Sequence, residues 1–178
     1  MATVVELIAE FRAVDLATAD RSHRQVEIVA ALDERVANED VALLFARVLR
    51  DEHEIDLARS EVCKILRAYR VEAAAQSRHL VPALVHVLGL DHDILVRQWA
   101  AIGAVAFAND PAMFLQLQAC RLNLEEDEDV RHNCPASLEA GGSNPRLIRL
   151  LQQLVENDSL THAAKRRLEE WGEPRHDS

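Results

Sequence analysis

Apolar residues recur at helical spacing along almost the whole chain, and the pattern breaks every 12 to 20 residues. The first segment shows this clearly, because Val4, Leu7, Ile8 and Phe11 fall on one face of a helix. The pattern predicts an all-α fold of ten helices joined by short turns. Their expected bounds are Thr3–Val14, Ser22–Val36, Asp40–Leu49, Ile55–Val71, Arg78–Leu88, Ile94–Ala108, Pro111–Leu122, Asp129–Ala140, Pro145–Glu156 and Leu160–Trp171.

Four prolines bear on these boundaries. Pro111 and Pro145 each follow an Asp or Asn, so each pair reads as an N-cap residue followed by the proline favoured at the first helical position. Pro82 and Pro135 instead fall inside predicted helices, and we expect them to kink or shorten those helices.

An acidic residue followed four positions later by a basic one marks the start of most second helices. The pairs are Asp20 and Arg24, Asp93 and Arg97, Asp127 and Arg131, and Asp158 and His162, while the second repeat has Arg59 alone. The basic positions 24, 59, 97, 131 and 162 are 35, 38, 34 and 31 residues apart, which indicates a helical repeat. We therefore predict a single domain over 1–178, with five helix hairpins at 2–36, 39–71, 77–108, 110–140 and 144–172 and a tail at 173–178.

The third repeat carries the clearest family signature, at Asp93, Val96, Arg97, Ala100 and Gly103. This arrangement resembles the HEAT-repeat family, in which an Asp between helices and an Arg in the second helix stack into a ladder along the array. The resemblance implies a right-handed α-α superhelix and a structural role for the ladder residues. Pro82 resembles the kinking proline of the family's first helix.

Composition narrows the classes of partner. With 30 acidic and 20 basic residues the net charge is -10, which repels a phosphate backbone, so we expect no nucleic-acid partner. The chain start resembles no signal peptide and no apolar run approaches the roughly 18 residues of a membrane span, so we expect a cytoplasmic protein without a membrane partner. Cys63, Cys120 and Cys134 lie in apolar helical stretches and are expected to be free, buried thiols. The oligomeric state stays open.

The His53 and Glu54 pair is the one feature typical of a metal ligand set. HEAT-like metal hydroxylases carry repeated His-Glu pairs, but a single pair supplies too few ligands. The sequence therefore predicts no metal, no cofactor and no catalytic residue.

Two groups of residues are candidates for protein binding. Second helices of such repeats line the inner, concave face of an array, which places there Glu61, Lys64, Gln98, Trp99, Ile102 and Asn133. Trp99 is either an interface anchor or a residue packed between hairpins. The second group is the acidic run Glu125, Glu126, Asp127, Glu128 and Asp129, which is either a solvated turn that caps a helix or a docking surface for a cationic partner.

These features favour a non-enzymatic module that presents an acidic surface to a protein with a basic surface. Small acidic HEAT-like proteins are similar to bacterial immunity proteins, which neutralise a cognate toxin. The alternative is a HEAT-like lyase, or lyase subunit, that attaches bilin chromophores. A HEAT-like DNA glycosylase is weaker still, because its DNA groove must be basic.

Overall fold

The computed structural model of this protein describes residues 2–14, 21–157 and 161–172. This part of the chain contains α-helices and two short 3-10 helices and no strand, which confirms the all-α prediction. Each of the ten predicted helices is present, and one short helix is additional. The helices are α1 Val4–Ala13, α2 Arg21–Ala30, α3 Glu39–Arg50, α4 Asp56–Ala68, α5 Arg70–Ala74, α6 Ser77–Leu90, α7 Ile94–Gly103, α8 Pro111–Leu122, α9 Glu128–Glu139, α10 Pro145–Asn157 and α11 Thr161–Glu170.

The helices pack in consecutive pairs, and those of the first unit described below form two layers. Contacts divide the chain into two compact units, Met1–Ala140 and Gly141–Ser178. In the first unit α1 packs on α2, α3 on α4, α6 on α7 and α8 on α9. The first helices of successive pairs contact one another, and so do the second helices α2, α4, α7 and α9. This contact pattern is that of a helical repeat fold. In the second unit α10 packs on α11.

The core of the first unit lies between these two layers. Helix α3 shows why the sequence folds this way: Phe45 and Leu49 face the core while Leu43 and Arg47 stay exposed. Because α3 contacts α1, α4 and α6, more than half of its residues are buried. Burial of this apolar area is the main favourable contribution to folding.

The capping predictions at the two prolines agree with the structure. The Asp110 carboxylate accepts hydrogen bonds from the backbone amides that follow Pro111, and the Asn144 side chain does the same ahead of α10. The internal prolines do not shorten their helices: Pro82 lies within the 14 residues of α6 and Pro135 within the 12 residues of α9.

Three predicted helices end earlier than the apolar pattern indicated. Tyr69, with φ -108° and ψ 45°, leaves the helical region, so α4 stops at Ala68 and α5 begins as a separate turn. The segments after α2 and α7 tighten into 3-10 helices at Asp33–Arg35 and Ala104–Phe107. The apolar pattern is the same for both helix types, so it could not locate these changes.

Helices α4 and α7 approach each other closely at Gly103. A Cβ atom on this glycine would lie 2.8 Å from the carbonyl oxygen of Cys63. The absent side chain thus lets the backbones of α4 and α7, in the second and third repeats, approach each other directly. None of the described helices is long and apolar enough to cross a membrane.

Candidate binding surface

The second-helix face comprises the solvent-accessible side chains of α4, α7 and α9, and its geometry is set by arginines that link neighbouring repeats. Arg59 of α4 is buried and forms an ion pair with Asp91, in the turn between α6 and α7. Arg97 of α7 pairs with Glu126, in the turn between α8 and α9, at 3.0 Å. Each arginine therefore contacts the turn of the next repeat.

These acids differ from the ones that the ladder prediction named. Asp93 caps α7 by accepting from the Val96 amide, and Asp127 caps α9 by accepting from the amides of Asp129 and Val130. The arginines reach acids that stand one or two positions earlier, because a residue already bound to helix amides is turned toward its own helix. Hence the ladder exists between repeats 2, 3 and 4, with Asp91 and Glu126 as its acids.

The ladder positions at the two ends do not follow this pattern. Arg24 pairs with Glu10 of α1 and Glu27 of its own helix, and all three side chains are exposed. Arg131 is partly buried, with its Nε 3.5 Å from the Arg121 carbonyl oxygen. His162 is exposed, and Asp20 and Asp158 lie outside the described residues.

Trp99 lies at the centre of the second-helix face and is partly buried. The Lys64 ammonium of the preceding repeat lies over its ring, 5.1 Å from the centroid, and also pairs with Glu61 at 3.0 Å. The structure thus brings together three of the predicted residues: the Glu61 carboxylate contacts the Lys64 ammonium, which lies over the Trp99 indole. Ile102 and Asn133 are partly buried on the same layer.

Gln98, which precedes Trp99 on α7, contacts the acidic run. Its side-chain amide donates to the Asp127 carboxylate at 3.0 Å and to the Asp129 carboxylate at 3.3 Å. The hydrogen bond from Gln98, followed by those from backbone amides, lowers the pKa of Asp127. The acidic run is therefore hydrogen-bonded to α7, the helix that also carries Trp99.

The five acids of the run have different roles. Asp127 caps α9, and the Glu126 carboxylate is largely buried against Arg97. Glu125, Glu128 and Asp129 are exposed. Three of the five carboxylates thus face solvent and are available to a partner.

The sequence reasoning missed a second surface, which we call the turn edge and define as residues 52–57, 90–95 and 122–129. Each segment contains most or all of the turn within one helix pair (α3–α4, α6–α7 or α8–α9) and the residues next to it. The turns lie side by side, because Arg59 reaches Asp91 and Arg97 reaches Glu126 across the repeats. Six exposed large apolar side chains lie on this edge: Leu57, Leu90, Ile94, Leu95, Leu122 and Leu124. A signal existed in the sequence, since Leu124 stands in a turn between Asn123 and Glu125, where a polar residue is usual.

The two side chains of the metal candidate, His53 and Glu54, lie in different environments. His53 is exposed, whereas Glu54 is buried and its carboxylate accepts from the Ile55 amide at 3.1 Å. Among the described residues no three His, Cys, Asp or Glu side chains converge as metal ligands.

The three cysteines are free and buried. Cys120 of α8 and Cys134 of α9 are neighbours: the hydrogen bond from Cys134 lowers the pKa of Cys120 to about 7, and it raises the pKa of Cys134. The Cys120 sulfur also donates to the Leu88 carbonyl at 3.4 Å. Burial raises the pKa of the isolated Cys63 to about 12.

Comparison of the chain with protein-family models, with curated proteins and with solved structures gave no match.

Proposed function

We infer that this chain is a HEAT-type repeat module that binds a protein with a basic surface and has no catalytic role of its own. The observation that carries this inference is that helix α7 carries two unlike features. Trp99 lies under the Lys64 ammonium, and the preceding residue, Gln98, contacts Asp127 and Asp129 of the acidic run.

Such a surface combines an anchor with a steering charge. Tryptophan is enriched among the residues that carry most of the energy of protein interfaces. The cation–π contact between the Lys64 ammonium and the Trp99 ring is worth about 0.5 to 1 kcal/mol at an exposed site and favours the observed position of the indole. Exposed carboxylates raise the rate at which a cationic partner arrives.

The finer proposal is that the partner is a small basic toxin and that the chain is its cytoplasmic immunity protein. The net charge of -10 favours a cationic partner and disfavours nucleic acid. Free thiols are typical of a reducing compartment such as the cytoplasm.

The test is a kinetic binding measurement against a partner recovered by affinity purification and then purified by itself. Trp99→Ala should weaken binding by about 2 kcal/mol or more, chiefly through faster dissociation. Replacing Glu125, Glu128 and Asp129 by their amides should slow association and flatten its dependence on salt.

The chain supplies a matched control. Trp171 of the second unit also lies under a cation, with Arg167 5.7 Å from its ring centroid. Trp171→Ala should leave the affinity unchanged. Equal affinity of the folded Trp99→Ala variant and the unsubstituted protein would remove the second-helix face as the site.

A further inference from the structure

We propose that the turn edge is a docking strip for a basic amphipathic helix of the protein partner. This rests on the proposed function, which it deepens by giving the partner's chemistry and secondary structure. The strip overlaps the second-helix face at the first residues of α4, α7 and α9 and includes the acidic run, but it does not include Trp99.

The apolar content of the strip is the first argument. Leu90 and Leu124 are 64% and 74% exposed, and the turn edge holds six of the ten exposed large apolar side chains of the described residues. Single exposed leucines are ordinary, but clustered ones mark interaction sites. The other four, Val5, Leu43, Val71 and Leu115, are scattered over α1, α3, α5 and α8.

The charge of the strip is the second argument. Its twenty residues contain ten of the thirty acids of the chain, three in 52–57, two in 90–95 and five in 122–129, and no Lys or Arg. Arg59 and Arg97 come from outside the strip and compensate Asp91 and Glu126. Burial, and next the charge of Asp93, raise the pKa of Asp56, as expected where carboxylates of adjacent turns crowd together.

This combination selects one occupant. A second copy of the chain would bring like charges together, and an anionic membrane would be repelled in the same way. A protein segment with apolar side chains on one side and Lys or Arg beside them satisfies both features.

The spacing of the turns favours a helix in that segment. Adjacent packed helices are about 8–10 Å apart, so the three turns present apolar groups at about that interval. Along an α-helix, residues seven positions apart lie on one face and are separated by about 10 Å. An amphipathic helix of about 15 residues therefore places one apolar side chain at each turn.

The experiment uses a fluorescein-labelled peptide of about 18 Leu and Lys residues, arranged so that the leucines form one helical face. Fluorescence anisotropy measures its affinity for the full chain. A peptide of the same composition in scrambled order and one with Glu in place of Lys are the reference peptides. The amphipathic basic peptide should bind at least about tenfold more tightly than either.

Two pairs of substitutions locate the site. Leu90→Ser with Leu124→Ser should weaken binding of the basic peptide about tenfold or more. Leu115→Ser with Val5→Ser removes side chains of matching exposure, 63% and 71%, from the first-helix layer and should leave the affinity unchanged. Circular dichroism and urea unfolding establish that each variant is folded before it is measured.

Three results would overturn the proposal. One is equal loss of affinity in both double variants, and another is no preference for the basic amphipathic peptide. The third is a dimer in sedimentation that Leu90→Ser with Leu124→Ser dissolves. Trp99→Ala separates this proposal from the proposed function. It should leave the affinity for the peptide unchanged and lower the affinity for the purified partner.

Discussion

Arg59 and Asp91 form an ion pair in which both side chains are almost fully buried, with 1% and 2% of their surface exposed. The guanidinium also donates to the Leu49 carbonyl at 3.0 Å and lies 3.7 Å from the exposed Asp56. Its Nε has no hydrogen-bond partner among the residues that the structure describes. The positive charge of Arg59, in the second repeat, is thus neutralised chiefly by Asp91 of the third repeat.

Asp91→Ala should lower the free energy of unfolding by about 3–5 kcal/mol, because it leaves a buried guanidinium without its counter-ion. Urea unfolding of the full chain measures this. The pair Arg24 and Glu10 is the control, since both side chains are more than 40% exposed, and Glu10→Ala should cost about 1 kcal/mol or less. Similar losses in the two variants would show that Arg59 finds compensation elsewhere. Replacing both Arg59 and Asp91 by Met and Leu should restore much of the loss.

Gly103→Ala and Gly89→Ala should change stability in opposite directions. At Gly103 the added methyl meets the backbone of Cys63 at 2.8 Å, so we expect a loss of about 1–3 kcal/mol. At Gly89 the nearest atom is the flexible end of Gln116 at 3.4 Å, and the better helix propensity of Ala should add up to about 1 kcal/mol. Thermal unfolding followed by circular dichroism compares the two. An unchanged or raised unfolding temperature for Gly103→Ala would contradict the close approach of α4 and α7.

Cys120 should react with iodoacetamide before the other two thiols. The thiolate is the nucleophile, and the pKa of Cys120 is lowered to about 7, so its rate should rise as the pH passes upward through this value. Cys63 and Cys134 should stay unmodified until the protein unfolds, because their pKa values are raised and both residues are 0% exposed, against 4% for Cys120. Peptide mapping by mass spectrometry follows each site.

Cys134→Ala is the control for this assignment. It removes the hydrogen-bond donor, so the midpoint of the Cys120 profile should move to higher pH. An unchanged midpoint would mean that the neighbouring thiol does not cause the lowered pKa, and early labelling of Cys63 would contradict its burial.

Local signals predicted the helices well but not the contacts between repeats. Asp110 and Asn144 were identifiable from sequence because capping depends on the next few residues. The partner of Arg59 was not, because Asp91 is 32 residues away and only the stacking of repeats brings it near. Asp93 recurs at the repeat spacing because it caps α7, and its position therefore did not identify the acid that pairs with Arg59.

The sequence also did not predict which side chains are exposed at several positions. Leu90 lies two residues beyond the end predicted for its helix, and it is exposed as the last residue of α6. Trp99 could be assigned to the second-helix layer by repeat position, whereas its contact with Lys64 depends on the offset between α4 and α7. The sequence thus predicted the fold class and the helix layer on which Trp99 lies, whereas the contacts between repeats depend on tertiary packing.

The burial of Arg59 has a consequence for the order in which the chain is assembled during synthesis. As residues leave the ribosome from the N-terminus, α3 and α4 emerge complete before Asp91, which follows Arg59 by 32 residues. Until that carboxylate arrives, closing the α3–α4 pair would strand a positive charge among apolar side chains. The smallest piece of this chain that can settle into its final packing is therefore larger than one repeat.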